Sequence, residues 1–164
     1  MNNASLYQLT LDGLWKNNPV LVQLLGLCPL LAVTDSTVKA LGLSGATLFV
    51  LVVSNTSVSL IRTVVADNIR LTVFIMIIAA AVTVTDLLMQ AYSYELHQIL
   101  GIFLPLITTN GIIAGRADSF ACKNSISAAL SDGFFMGLGF SAVMVLMGTI
   151  RELLGTGALF ADMQ

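Results

Sequence analysis

The sequence predicts an all-α, polytopic transmembrane protein with two short, broken helices in an inverted-repeat arrangement. Three observations carry that expectation. Of 164 residues, 57% are hydrophobic and only 10% charged, the mean hydropathy is +0.92, and the apolar residues fall in continuous runs. A soluble globule of this length has too little interior to hide so much apolar surface. In lipid every backbone N–H and C=O must find a partner within the protein, and continuous runs suit helices where a barrel would need alternation.

Five apolar segments are expected in a single membrane domain spanning residues 1–164, at about 19–33, 38–61, 69–91, 97–114 and 133–154. The first, PVLVQLLGLCPLLAV, would rise roughly 22 Å as a helix against about 30 Å of hydrocarbon. It is too short to cross, and it holds Cys28 and Pro29 at its heart. The second is long enough to span and is interrupted only by the small polar string SNTSVS, Ser54 to Ser59, a candidate helix-packing face. The third is the most hydrophobic, with FIMIIAAAV at its centre and Asp86 near its end. The fourth is short again and carries Pro105 and the polar TTNG of Thr108 to Gly111. The fifth presents Gly133, Gly137 and Gly139, a small-residue pattern that lets helices approach closely.

The two short segments resemble one another. Gln23-Leu24-Leu25-Gly26-Leu27-Cys28-Pro29-Leu30 matches Gln98 to Leu106 once one residue is inserted before the second proline. An odd number of crossings separates them, so the copies would be inverted. Inverted repeats whose broken helices meet at the midplane are how many transporters assemble a buried site. Proline removes one helical hydrogen bond and clashes with the preceding turn, which gives both breaks a local cause.

With the N-terminus inside, Lys16, Arg62, Arg70, Arg116 and Lys123 are cytoplasmic, and Lys39 and Arg151 lie outside. Cytoplasmic loops accumulate Lys and Arg, so this orientation is the one expected. The first eighteen residues are polar and offer no small-residue cleavage site, so they are expected to be retained. The net charge of −2 comes from scattered residues and leaves no basic face for nucleic acid. No phosphate loop, catalytic triad or zinc pattern is present; GTGALF from Gly155 lacks the strand a phosphate loop needs.

Several polar residues admit two readings. Asp86, an ionisable group at membrane depth, marks an ion path by default, and a hydrated place at the outer interface is the alternative. Thr108, Thr109 and Asn110 can cap a broken helix or coordinate a cation, capping being the expectation. His97, among Tyr92, Tyr94 and Glu95, reads as part of an interfacial aromatic belt and not as a haem ligand, and Trp15 as an anchor of the same kind. Arg151-Glu152 reads as a local ion pair or an interface anchor. A lone cysteine in an apolar helix is ordinarily a small inert hydrophobe.

The strings GLWKNNPVLVQLLGLCPLLAV (Gly13 to Val33), LGIFLPLITTNGIIAGRADSFA (Leu100 to Ala121) and IRELLGTGALF (Ile150 to Phe160) resemble the E subunits of Rnf electron-transport complexes. The D subunit of the sodium-translocating NADH:quinone oxidoreductase is a close relative and the alternative identity that the resemblance allows. The resemblance covers nearly the whole chain. It implies six transmembrane helices, of which the sixth is absent here, in the inner membrane of a bacterium. It also implies pairing with the Rnf A subunit, a homologue of opposite topology, alongside the B, C, D and G subunits. The broken helices of the pair would share an intramembrane [2Fe-2S] iron–sulfur cluster, and Cys28 would be a metal ligand. Such clusters want thiolates. The complex would be a ferredoxin:NAD oxidoreductase coupled to sodium or proton transport, with this chain a non-catalytic member of the translocase. The chain departs from the family pattern after TTN, where Gly111 stands in place of a second cysteine and has no side chain to ligate iron. Cys122 lies eleven residues later, in the charged stretch from Arg116 to Lys123. That departure makes a cofactor-free assembly protein or small carrier the competing expectation.

Overall fold

The computed structural model describes residues 26–156, all of whose regular structure is helical. Helix α1 runs Leu27–Val33 and α2 Thr37–Ile61. A 3₁₀ turn, Asp67–Ile69, leads into α3, Arg70–Tyr92. Then come α4, Tyr94–Leu100, α5, Pro105–Thr108, and α6, Gly111–Arg116. A π-helical turn, Ala117–Ala121, precedes α7, Ile126–Thr156. Three helices, α2, α3 and α7, are each long and apolar enough to cross a membrane, and α4 with the stretch Pro105–Ala121 forms a further pair bent by 65°. The first expected segment is described only from Gly26 onward; residues 19–25 and Trp15 lie outside the described residues.

The principal packing is α2 against α7, and small residues make it close. A Cβ at Gly133 would stand 3.1 Å from Asn55 Nδ2, one at Gly137 3.1 Å from Leu48 Cγ, and one at Gly148 3.0 Å from Ala40 Cβ. With little hydrophobic force between helices in lipid, such contacts and the dispersion they permit hold the pair. Ser54, Asn55, Val58 and Ser59 are buried in α2, so the SNTSVS string is a packing face. Its hydroxyls are satisfied locally or across the fold: Ser54 donates to the Leu51 carbonyl at 3.2 Å and Ser59 to that of Asn124 at 2.9 Å. The main core includes residues of this seam, Leu43, Leu51, Phe140 and Met144, together with Ile78 and Leu104.

Two boundaries differ from the sequence expectation, for one electrostatic reason. The fourth segment continues as helix and π turn past residue 114 to Ala121, and the fifth begins at Ile126 instead of Gly133. In the sequence Arg116 and Asp132 mark those stretches as connector. In the fold they satisfy one another, Arg116 Nε donating to Asp132 Oδ2 at 2.9 Å and Nη2 to Oδ1. Arg70 pairs with Asp118 at 2.9 Å in the same region. With their charges compensated, these residues extend helices.

Arg151 and Glu152, read from the sequence as a local ion pair or an interface anchor, both bond to the α1–α2 region. Arg151 donates to the Leu31 carbonyl and to Thr34 Oγ1, each at 3.0 Å. Glu152, buried, accepts from the Thr37 backbone N–H at 2.9 Å and from the Thr37 hydroxyl. The C-terminal part of α7 therefore ties down the α1–α2 turn and caps the positive end of the 25-residue α2. Glu152→Ala leaves that N–H without its charged acceptor. The expected cost is about 1.5–3 kcal/mol, read as a lower melting temperature of the purified protein, while Glu152→Gln, which keeps an acceptor oxygen, should lose less.

Candidate functional site at the broken helices

The start of α1 and the start of α6 abut. Gly26, which precedes α1, has φ +79°, a left-handed conformation that glycine adopts freely. A Cβ there would stand 2.6 Å from Ile112 Cδ1, 3.1 Å from Asn110 Oδ1 and 3.1 Å from Phe140 Cε2. Asn110 in turn caps α6, its side-chain oxygen accepting from the Ile112 N–H at 3.2 Å. That is the capping role expected for the TTN string, and the Thr109 hydroxyl adds a bond to the Leu106 carbonyl at 3.2 Å. Pro105 opens α5, so the second break falls where proline withholds an N–H.

Cys28 is the second residue of α1. The helix buries Pro29, Leu30 and Val33 and turns Leu27, Cys28 and Leu31 outward, so the free thiol is exposed. Gly111 begins α6 and offers no donor atom. Cys122 closes the π turn, its thiol donating to the Asp118 carbonyl at 2.7 Å beside the small core of Val58, Phe74, Ala117, Ala121 and Ala129. The structure thus brings Cys28, Asn110 and Gly111 to one region and leaves Cys122 with a local role. Among the described residues no three of His, Cys, Asp and Glu converge to hold a metal ion. An outward thiol at the edge of a helix break suits a ligand shared with another polypeptide, and this chain can supply one of the four that a Cys₄ cluster takes.

Asp86 lies on α3 with His97 of α4 beside it, His97 Nδ1 standing 3.1 Å from Asp86 Oδ1. Both atoms are buried, and the contact lacks hydrogen-bond alignment. A cavity of about 170 Å³ adjoins Asp86, walled by Thr83, Leu104, Pro105 and Thr108 among others. His97 also neighbours Tyr94, ring centroids 6.4 Å apart, so the aromatic-belt reading captures one side of this histidine and misses the other. The pairing is hidden in the sequence because the two residues flank the α3–α4 corner at Ser93, and no helical spacing relates them. The pairing of Arg116 with Asp132 is hidden likewise, although a carboxylate directly before Gly133 on the small-residue face is a usable signal. Arg116 is further held over the Phe120 ring, 5.0 Å from its centroid.

Fold and site together define a multi-pass helical membrane protein in which, among the described residues, one span is broken and the short helix α1 abuts the break. The family model described as "Rnf-Nqr subunit, membrane protein" matches residues 6–164. The E subunit of the ion-translocating oxidoreductase complex of Cellvibrio japonicus (strain Ueda107) is 62% identical over 163 residues, 99% of this chain and 68% of that protein. Its counterpart from Pseudomonas paraeruginosa (strain DSM 24068 / PA7) is 60% identical over 164 residues, 100% of this chain and 69% of that protein. The corresponding E subunit of Pasteurella multocida (strain Pm70) is 60% identical over 149 residues, 91% of this chain and 66% of that protein. The chain spans about two thirds of the length of these relatives. It belongs to the Rnf-Nqr family of membrane subunits.

Proposed function

We propose that this chain works in an Rnf-type ion-translocating ferredoxin:NAD oxidoreductase of the bacterial inner membrane, with its N-terminus cytoplasmic. It would pair there with the A subunit and assemble with the B, C, D and G subunits. In that complex Cys28 supplies one thiolate to a [2Fe-2S] centre shared with the A subunit, and the remaining ligands come from outside this chain's described residues. The observation that carries the reading is the exposed Cys28 thiol on a seven-residue half-helix whose start abuts the second break. When bound, such a centre accepts and releases single electrons within the membrane. This chain's own residues shape the place: Pro29, Leu30 and Val33 anchor α1 inward, Gly26 allows the close approach, and Asn110 fixes α6. Asp86, at membrane depth beside the cavity with Thr83 and Thr108, is the residue assigned to the path of the coupled sodium ion or proton.

Gly111 favours one second reading, a protein that assembles the complex or carries a solute and binds no cofactor. Cys28→Ala in the assembled complex separates the two. The electron-transfer reading expects iron content and ferredoxin-driven NAD reduction to fall at least tenfold while the subunits still copurify. Unchanged iron and unchanged flux would sink it and leave the scaffold.

A further inference from the structure

We propose that the membrane face where α2 ends and α7 begins binds an anionic glycerophospholipid, with Arg62 and Lys123 holding its phosphate headgroup and the outer face of α7 carrying one acyl chain. Such a site stands whether or not the chain holds an iron–sulfur centre.

Four cations lie toward this face, and two of them have carboxylates: Arg70 stands 2.9 Å from Asp118, and Arg116 holds Asp132. Arg62 and Lys123 make no ion pair and no side-chain hydrogen bond among the described residues. The fold ties their segments together. Arg62 closes α2, and Ser59, three residues and about 4.5 Å earlier along the helix, donates to the Asn124 carbonyl at 2.9 Å. Residues three apart share a helix face, so Arg62 stands on the side of α2 that meets the turn carrying Lys123. That turn is held in shape by Asn124, whose backbone N–H and side-chain amide both donate to the Phe120 carbonyl, at 3.2 and 3.0 Å. Arg62 is half-buried and Lys123 exposed. Three residues past Lys123 the 31-residue α7 begins, and its first N–H groups add to the positive potential. Two cations beside the positive end of a helix repel one another, and an anion between them removes that cost.

What the anion is attached to follows from the surface beside it. Ile126, Leu130, Phe134 and Leu138 are 43%, 46%, 43% and 37% exposed, and they follow the i, i+4 row of α7 away from the charged end. Over twelve residues that row runs about 18 Å, close to the roughly 15 Å of hydrocarbon in one leaflet, half of the bilayer core. A free phosphate would meet the cations and leave the apolar row unused, and a soluble acidic protein would do the same. A phospholipid with a net negative headgroup satisfies both features, its phosphate between guanidinium and ammonium and one acyl chain along the row. Arginine offers the phosphate oxygens a planar fork of donors, and lysine adds a mobile point charge. Basic pockets between transmembrane helices at a membrane face are a recurring place for anionic headgroups.

The test uses the whole complex in phosphatidylcholine vesicles that hold a small fraction of phosphatidylglycerol with a photoactivatable diazirine on its acyl chain. Irradiation should attach this probe to α7 between Ile126 and Leu138, read by peptide mass spectrometry, with a yield at least tenfold above that of a phosphatidylcholine bearing the same diazirine. Lys123→Gln, a change at an exposed side chain, should lower the phosphatidylglycerol yield about fivefold. Adding Arg62→Gln should bring it down to the phosphatidylcholine level, with the melting temperature of the complex unchanged. Where the double variant does not assemble, Lys123→Glu takes its place and should lower the yield at least tenfold. Equal labelling by the two lipids, or undiminished labelling in the lysine variants, overturns the headgroup site. No labelling of Ile126 to Leu138 by either probe overturns the acyl track and shows another protein chain covering that face. Inorganic phosphate, added at constant ionic strength so that screening does not change, should leave the labelling intact; displacement of the lipid by it assigns the two cations to free phosphate and overturns the lipid site.

Discussion

Asp132→Ala is expected to destabilise the protein by about 3–5 kcal/mol, because it breaks a buried ion pair from one side. The Asp132 side chain is 3% exposed and that of Arg116 16%, and the guanidinium holds both carboxylate oxygens. Removing the carboxylate leaves a cation that can neither deprotonate nor escape easily to water, since its guanidinium is held over Phe120. The pair also joins α6 to the beginning of α7, so its loss should loosen the π turn at Ala117–Ala121 and with it the second break. Thermal unfolding of the detergent-purified protein measures the loss. The double variant Arg116→Met with Asp132→Leu, which replaces the pair by apolar volume, should regain most of it. A single Asp132→Ala protein that melts with the parent would show that the pair contributes nothing to the fold.

The long helices are legible in the sequence because their cause is local: a run of apolar residues leaves the backbone no partner but itself. The break in the fourth segment is legible for the same reason, since Pro105 lacks an N–H wherever it is placed. Gly133 and Gly137 announce a close packing face by their spacing, though not that α2 would fill it with Leu48, Leu51 and Asn55. The charges are not legible. Arg116 with Asp132, Glu152 with Thr37, and His97 with Asp86 are pairings between segments separated by a turn or by most of the chain, and a charged side chain on a sequence carries no sign of whether it will meet solvent or a partner. Read by sequence, Arg116 belongs to a connector and His97 and Glu152 to interfaces, and in the fold each reaches from its own helix to a residue of another. The same limit applies to Cys28: the outward direction of its sulfur depends on which face of α1 meets the core, a fact of packing alone.

Gly26→Ala is expected to separate the two breaks without unfolding the long helices. At φ +79° an L-residue carries a backbone penalty of about 1–2 kcal/mol, and the new methyl would also press on three neighbours at once. The Ile112 methyl, 2.6 Å away, can turn aside, being the end of a flexible chain; Asn110 Oδ1 and the Phe140 ring, each at 3.1 Å, cannot do so freely, since one is bonded to the Ile112 N–H and the other is fully packed in the core. Relief must come from α1 moving away from α6, which carries Cys28 with it. The total cost should therefore stay near 1–3 kcal/mol, less than for Asp132→Ala, whereas the effect on electron flux in the assembled complex should approach that of losing the thiol itself. Measuring melting temperature and iron content on the same preparation distinguishes displacement from unfolding. A melting temperature lowered by less than in Asp132→Ala, together with depleted iron, is the expected result. Full iron in a Gly26→Ala complex would mean that the approach of the two half-helices does not position Cys28.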